Sequence, residues 1–235
     1  METGEGREKV SKATLRRLPV YYRYLKDLEE RGEERISSTA IASALGMNAV
    51  LVRKDLAAVT RQKGRPRLGF GTAALIRDID AYLGYGNRNE AILVGAGALG
   101  SALAGYEGFC SYGLKIVAAF DTDPAKTGRR IGDVEIRAAS EIGKYVSERN
   151  ILIGILTIPK EQAQGTAEIL VKAGIRAIWN FAPVRLSLPD SVAVKNEDMA
   201  GSLAVLSKRL EAILYADGQK KKDTEKEQEH GRKAR

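Results

Sequence analysis

The sequence predicts an α/β protein of two unequal domains: a helical N-terminal domain over 1–85 and a parallel-sheet domain over 86–217, with a charged tail over 218–235. Three observations predict it. Apolar residues recur at spacings of three and four through the first sixty positions. A glycine-rich turn at 95–100 directly follows a short apolar strand, and strand-like runs then alternate with helical runs.

Composition narrows the function classes. At 235 residues and 44% hydrophobic content the chain is long enough for two small cores. No apolar run approaches the roughly 20 residues that span a bilayer, and the N-terminus lacks a signal-like apolar core, so a cytoplasmic protein without membrane contact is expected. The single Cys110 excludes an internal disulfide framework and a thiolate metal cage; no metal is expected, and Cys110 reads as a small buried apolar residue. The single His230 lies in the hydrophilic tail, which removes the commonest general base from any folded site.

The net charge of +8 is unevenly placed: 1–78 carry 16 Lys/Arg against 10 Asp/Glu, and 79–235 carry 22 against 20. Between 53 and 70 stand Arg53, Lys54, Arg61, Lys63, Arg65 and Arg67, with Asp55 the one acid. Such a stripe is the footprint of a polyanion partner, and arginine forks onto phosphates and guanine edges. A solvated, charge-rich loop is the bland alternative.

Taken in order, Leu15, Leu18, Tyr22, Leu25 and Leu28 make 11–30 an amphipathic helix that Arg31-Gly32 stops. Ser37-Ser38 cap a short helix over 39–45 with Ile41 and Leu45 inward, and Gly46 closes it. Asn48 caps a third helix, 49–59, with Val52, Leu56 and Val59 inward. Two short helices joined by a tight Gly-containing turn form a helix-turn-helix, whose second helix enters a major groove. That leaves Asn48, Val50, Arg53 and Lys54 available to double-stranded DNA. The basic loop Arg61-Gln62-Lys63-Gly64-Arg65-Pro66-Arg67 ahead of Gly69-Phe70 reads as the wing of a winged-helix domain. A plain helix bundle used for protein contacts is the other reading.

Ala91-Ile92-Leu93-Val94 leads straight into Gly95-Ala96-Gly97-Ala98-Leu99-Gly100, a helix follows, and 115–120 forms a second strand ending in Asp121. This is the GxGxxG of a Rossmann dinucleotide-binding domain in its setting: a tight turn, an open backbone for a pyrophosphate, and close helix–strand packing. Asp121, 21 residues beyond Gly100, stands where that fold places an acid for the adenosine-ribose hydroxyls. A carboxylate there repels a 2′-phosphate, so NAD(H) is favoured over NADP(H). A helix over 140–148, strand 151–158, helix 161–173, strand 175–179 and short strand 192–194 continue the alternation. Strand ends at Thr157-Ile158-Pro159 and Asn180-Phe181 border the ligand crevice of such a sheet; a turn whose Phe181 fills core is the alternative for the second. An amphipathic helix over 198–216 carries Met199, Leu203, Leu206, Leu210, Ile213 and Leu214; beyond it, 218–235 hold seven basic and four acidic residues and read as disordered.

Through these motifs the sequence resembles the Rex family of redox-sensing transcriptional repressors. The segments that carry the resemblance are Arg17-Leu18-Pro19-Val20-Tyr21-Tyr22-Arg23-Tyr24-Leu25, Val52-Arg53-Lys54-Asp55-Leu56, Val94 through Gly100, Ala119-Phe120-Asp121, Ala163-Gln164 and Trp179-Asn180-Phe181-Ala182-Pro183. The resemblance implies a homodimer whose C-terminal helix, 198–216, is domain-swapped between subunits. It implies that NADH releases operator DNA while NAD⁺ is compatible with DNA binding. It also implies that Tyr106 and Phe109 lie near the nicotinamide and that Arg23, Tyr106 and Asp198 form an alternating polar switch. The chain departs from the family pattern at Val59-Thr60, in a wing about one residue longer over 65–70, and at Met199. Two other functions compete with this non-enzymatic reading. One is an NAD-dependent oxidoreductase with an accessory N-terminal domain, against which stand a folded region without histidine and the expectation that it holds no Tyr-x-x-x-Lys. The other is a nucleotide- or CoA-binding module acting through protein contacts.

Overall fold

The computed structural model describes residues 10–61, 69–86 and 89–233, with side chains described to 217. The chain forms two compact units, Met1–Asn89 with Glu107–Lys115 and Glu90–Tyr106 with Ile116–Arg235.

In the first unit α1 (Lys12–Glu30) starts at Ser11, whose hydroxyl accepts the Thr14 amide at 3.1 Å. Leu18, Tyr21 and Leu25 are fully buried. Leu15, expected to face inward, is half-exposed and Tyr21 takes the inward position instead, because its hydroxyl is anchored on Asp55. A two-residue β1 (Arg35–Ile36) precedes α2 (Ser38–Ala44), and Asn48 caps α3 (Ala49–Val59) as the sequence predicts. Sequence reasoning missed β1, its antiparallel partner β2 (Phe70–Gly71) and α4 (Thr72–Leu83). A two-residue strand has no periodicity to read. In α4, Leu75, Ile76 and Ile79 do recur at helical spacing, and they complete the core that α1 and α3 begin. Residues 62–68, among them Lys63, Arg65 and Arg67 of the expected wing, lie outside the described residues.

The 3₁₀ segment Glu107–Tyr112 groups with this first unit, although the sequence reading kept all of 86–217 together. The Tyr112 ring meets Tyr85 edge-on at 5.2 Å, and Tyr85 meets Tyr22 at 5.2 Å, so three rings hold the segment. Cys110, expected to be buried, is exposed there: the 3₁₀ segment has no buried residue, its anchor being Tyr112.

The second unit is a seven-stranded sheet built from β3 (Asn89–Val94), β4 (Leu114–Asp121), β5 (Arg130–Ile131), β6 (Val134–Ala138), β7 (Ile153–Leu156), β8 (Ala177–Asn180) and β9 (Ala193–Asn196). Their order is β5-β6-β4-β3-β7-β8-β9. Without β5, this is the 3-2-1-4-5-6 order of a doubly wound dinucleotide fold, with its switch point between β3 and β7. The β5–β6 antiparallel hairpin on the edge was not foreseen. Helices α5 (Ala98–Ala104), α6 (Ile142–Arg149) and α7 (Lys160–Ala173) connect β3 to β4, β6 to β7 and β7 to β8. The predicted strand 151–158 shortens to β7, and 192–194 shifts to β9.

The C-terminal α8 (Met199–Lys233) is one helix of 35 residues, where the sequence reading ended it at 216 and left 218–235 disordered. The tail is rich in Lys, Glu and Gln, which favour helix, and its two glycines cost only about 1 kcal/mol each. Asp198 Oδ1 accepts the Gly201 amide at 2.7 Å and so caps the helix. Leu203, Leu206, Leu210, Ile213 and Leu214 are all exposed.

Candidate nucleotide and nucleic-acid sites

The carboxyl end of β3 opens onto the 95–100 turn. Gly95 has φ +101°, and a Cβ there would lie 2.6 Å from the Thr157 carbonyl oxygen; at Gly100 a Cβ would run into the Gly95 carbonyl oxygen. Only glycine fits either place. Gly97 is different: a Cβ there would meet nothing within 4 Å, so its backbone faces open space. Directly after it α5 begins at Ala98, and the first amides of a helix have no intrahelical partner and favour an anion. Ala98 and Leu99 lie in that first turn. Thr157 braces the turn from β7, its hydroxyl donating to the Gly95 carbonyl at 2.7 Å.

Asp121 ends β4 beside this turn. Its Oδ2 accepts the Ala96 amide at 2.8 Å and the Lys126 ammonium at 2.9 Å, and its Oδ1 accepts the Asp123 amide at 2.9 Å. Burial alone would raise the Asp121 carboxyl, but the Lys126 ammonium and the two amides overcome it and hold the carboxyl below the usual carboxylate range. A cavity of about 400 Å³ is bordered by Gly95, Gly97, Asp121, Lys126, Thr157 and Pro159. Its glycine floor and fixed carboxylate fit a dinucleotide: open backbone for a pyrophosphate and an acceptor for ribose hydroxyls. The sequence reading missed Lys126; a cation five residues past a strand-ending acid was the available signal.

Asn180 and Phe181 do not border this cavity. Asn180 is fully buried, and its Nδ2 donates to the Val184 carbonyl at 2.8 Å and to Asn196 Oδ1 at 2.9 Å. Its Oδ1 accepts the Ala182 amide at 3.0 Å, so the side chain locks the turn after β8. The Phe181 ring packs 4.8 Å from Trp179. Tyr106 is exposed just beyond α5, and Asp198 is exposed and caps α8. Phe109 and Arg23 belong to the first unit, Phe109 half-buried and Arg23 exposed on α1. Contrary to expectation, a Tyr-x-x-x-Lys spacing does occur, in α1, at Tyr22 and Lys26. There Tyr22 sits in the aromatic cluster, and Lys26 pairs with Glu29 at 2.7 Å.

In the first unit, Asn48 Oδ1 accepts the Val50 and Leu51 amides at 2.9 and 3.2 Å, while Val50, Arg53 and Lys54 stand exposed along α3. The acid of this helix is turned inward. Asp55 accepts from Arg17 Nε at 2.7 Å and Nη2 at 2.8 Å, from the Tyr21 hydroxyl at 2.8 Å, and from Thr14 Oγ1 at 3.0 Å. Its negative charge is therefore spent on α1, and the outward face of α3 is left positive. Arg61 is exposed after α3, and its amide donates to Asp78 Oδ2 at 2.9 Å. Among the described residues no cluster of metal-ligating side chains occurs. No described helix is long and apolar enough to cross a membrane.

A helix-turn-helix unit whose α3 turns a positive face outward, joined to a doubly wound unit with a fixed ribose-type acid, defines a DNA-binding regulator with a dinucleotide domain. Comparison with known proteins agrees with both halves. Residues 9–57 match the family described as "Putative DNA-binding protein N-terminus", and 87–184 match "CoA binding domain". The redox-sensing transcriptional repressor Rex of Desulforamulus reducens is 42% identical over 199 residues, covering 85% of this chain and 94% of that protein. Its namesake in Treponema denticola is 42% identical over 193 residues, 82% of this chain and 91% of that one. The crystal structure of RSP with β-NAD⁺ and operator DNA superposes with TM-score 0.82 at 38% identity, covering 89% of this chain and 97% of that one. RSP with β-NADH gives 0.79 at 38% identity, covering 89% and 99%. The chain belongs to the Rex family of redox-sensing transcriptional repressors.

Proposed function

We propose that this protein is a cytoplasmic homodimeric repressor that holds operator DNA when NAD⁺ or no nucleotide is bound and leaves it when NADH binds. The observation that carries the reading is the Asp121 carboxylate, ionised and fixed by the Ala96 amide beside the open backbone of Gly97. NADH supplies a reduced, uncharged nicotinamide where NAD⁺ has a positive ring. The chain's own groups would do the rest. Gly95, Gly97 and Gly100 admit the pyrophosphate, Asp121 accepts from the ribose hydroxyls, and Thr157 and Pro159 border the crevice. Arg53, Lys54 and Arg61 on the first unit, with Lys63, Arg65 and Arg67 of the wing, would contact DNA phosphates and base edges. Arg23, Tyr106 and Asp198 would exchange partners with nicotinamide charge: an arginine pairs with a carboxylate, and a phenol competes for that carboxylate. The exposed apolar stripe of α8 supports the dimer, since five large aliphatic side chains on one helix gain most by meeting a second copy. Binding without turnover makes the protein a sensor and not an enzyme.

The test is a gel shift on upstream DNA at one stated salt concentration, with NADH, NAD⁺ and NADPH added separately, because phosphate contacts make affinity fall steeply with salt. Release by NADH alone is expected. DNA binding that ignores NADH would refute the proposal.

A further inference from the structure

The chain turns sharply after β4. Asp123 Oδ1 accepts the Ala125 amide at 2.9 Å, and the Lys126 amide donates to the Asp123 carbonyl at 3.1 Å. The Gly128 amide then donates to the Ile136 carbonyl at 2.8 Å and fastens the far end of the turn to β6. Lys126 thus leaves a backbone held on both sides. Its ammonium reaches back to Asp121 Oδ2, the oxygen that also takes the Ala96 amide, and both side chains border the cavity. Asp121 is nine-tenths buried and Lys126 two-thirds, so the contact is poorly screened. A carboxylate at the ribose corner repels a 2′-phosphate, while the ammonium beside it offers that same phosphate a counter-charge.

We propose that Lys126 is a specificity-determining residue for the dinucleotide: paired with Asp121 it serves the ribose hydroxyls of NAD(H), and freed from Asp121 it becomes a ligand for the 2′-phosphate of NADP(H). The inference rests on the dinucleotide reading of the cavity. The chemistry separates the two ligands. A ribose hydroxyl both donates and accepts, so it satisfies Asp121 and Lys126 together. A 2′-phosphate only accepts; it gains Lys126 but is pressed against Asp121. Removing the Asp121 charge removes the repulsion and leaves the ammonium with no charged partner but the ligand.

The experiment is a fluorescence titration of the full-length protein with NADH and with NADPH at one ionic strength, on wild type, Asp121→Asn, Asp121→Ser, Lys126→Met and Asp121→Asn/Lys126→Met. Thermal melting identifies the folded variants. Asp121→Asn and Asp121→Ser should weaken NADH and gain NADPH affinity on the order of tenfold or more, the range of a new charge-assisted hydrogen bond. Adding Lys126→Met should erase that gain, and Lys126→Met alone should weaken NADH without admitting NADPH. Folded Asp121 variants with no NADPH gain, a gain that survives Lys126→Met, or unchanged NADH affinity in Lys126→Met would each overturn the assignment. A wild type that binds NADH while the Asp121 variants gain nothing refutes this inference alone. A wild type that binds no NADH refutes the dinucleotide reading with it.

Discussion

Replacing Asp55 by alanine should destabilise the first unit far more than its position on a DNA-facing helix suggests. The carboxylate takes four hydrogen bonds, two from Arg17 at 2.7 and 2.8 Å, one from the Tyr21 hydroxyl at 2.8 Å and one from Thr14 at 3.0 Å. Its side chain is 3% exposed and that of Arg17 is 22% exposed. Breaking a buried ion pair from one side costs about 3–5 kcal/mol. Arg17 keeps some water and moves the figure towards the lower end, but the fully buried Tyr21 hydroxyl loses its acceptor, which costs about 1–3 kcal/mol by itself. A loss of about 3–4 kcal/mol follows, on the order of 15 °C in Tm for a unit of this size. The assay is denaturant unfolding by circular dichroism of the full chain, repeated on Arg17→Met and on Arg17→Met/Asp55→Leu. Because an apolar pair of similar volume is often neutral, the double variant should recover most of what either single variant loses. The pH dependence has a definite sign. Burial alone would raise the Asp55 carboxyl, but the hydrogen bonds from Arg17, Tyr21 and Thr14 hold it below the ordinary carboxylate value. Its stabilisation is therefore present above that value and lost as pH falls through the lower folded value, so wild type and Asp55→Ala should converge only in acid. The same network, burial first, pushes the Tyr21 phenol up to about 12. A loss under 1 kcal/mol at neutral pH, or a double variant no better than either single one, would show the network to be decoration.

Three other outcomes follow from the geometry. Gly97→Ala should leave Tm unchanged, since its Cβ meets nothing within 4 Å, yet weaken NADH at least tenfold by standing where the pyrophosphate approaches; unchanged affinity in a fluorescence titration would place the ligand elsewhere. Arg53→Ala and Lys54→Ala, both exposed on α3, should each lower DNA affinity and reduce the salt slope by about 1 if they touch phosphate; the readout is fluorescence anisotropy across a salt series. Leu206→Asp/Leu210→Asp, on the exposed stripe of α8, should give a monomer by light scattering, and a surviving dimer would assign the interface to another face.

The switch also carries an energetic requirement. Moving a population from 1:99 to 99:1 takes roughly 5.5 kcal/mol of differential affinity, so each of the two sites of the proposed dimer must prefer the DNA-free form about 100-fold. Linkage makes this reciprocal: operator DNA should weaken NADH binding by the same factor, and equal NADH titrations with and without DNA would exclude a sensor.

Much of this molecule was legible from local pattern. The caps at Ser37 and Asn48, the inward face of α3 and the strand–GxGxxG–helix sequence are written in adjacent residues, because capping and tight turns are decided within four or five positions. Asp121 was legible for the same reason, its distance from Gly100 being set by one helix and one strand. The short strands β1 and β2 and the β5–β6 hairpin were not, since pairing across the fold and not periodicity defines them. The tail after residue 216 departs from expectation for a different reason: charge and low hydropathy suggest disorder, while the same Lys, Glu and Gln residues also favour helix.

The sequence by itself determined the class of the protein: a basic helix-turn-helix followed by a dinucleotide turn and its acid, each a contiguous motif with one backbone solution. Tertiary structure alone decided how the charged residues are used. It turned Asp55 inward onto an arginine 38 positions away, which makes the outer face of α3 uniformly positive. It buried Asn180 as a brace across β8 and β9, and it set Lys126 against Asp121. These are partnerships between groups whose spacing in the chain carries no period. A charge costs so much to bury alone that the fold, and not the neighbouring sequence, settles which partner it meets.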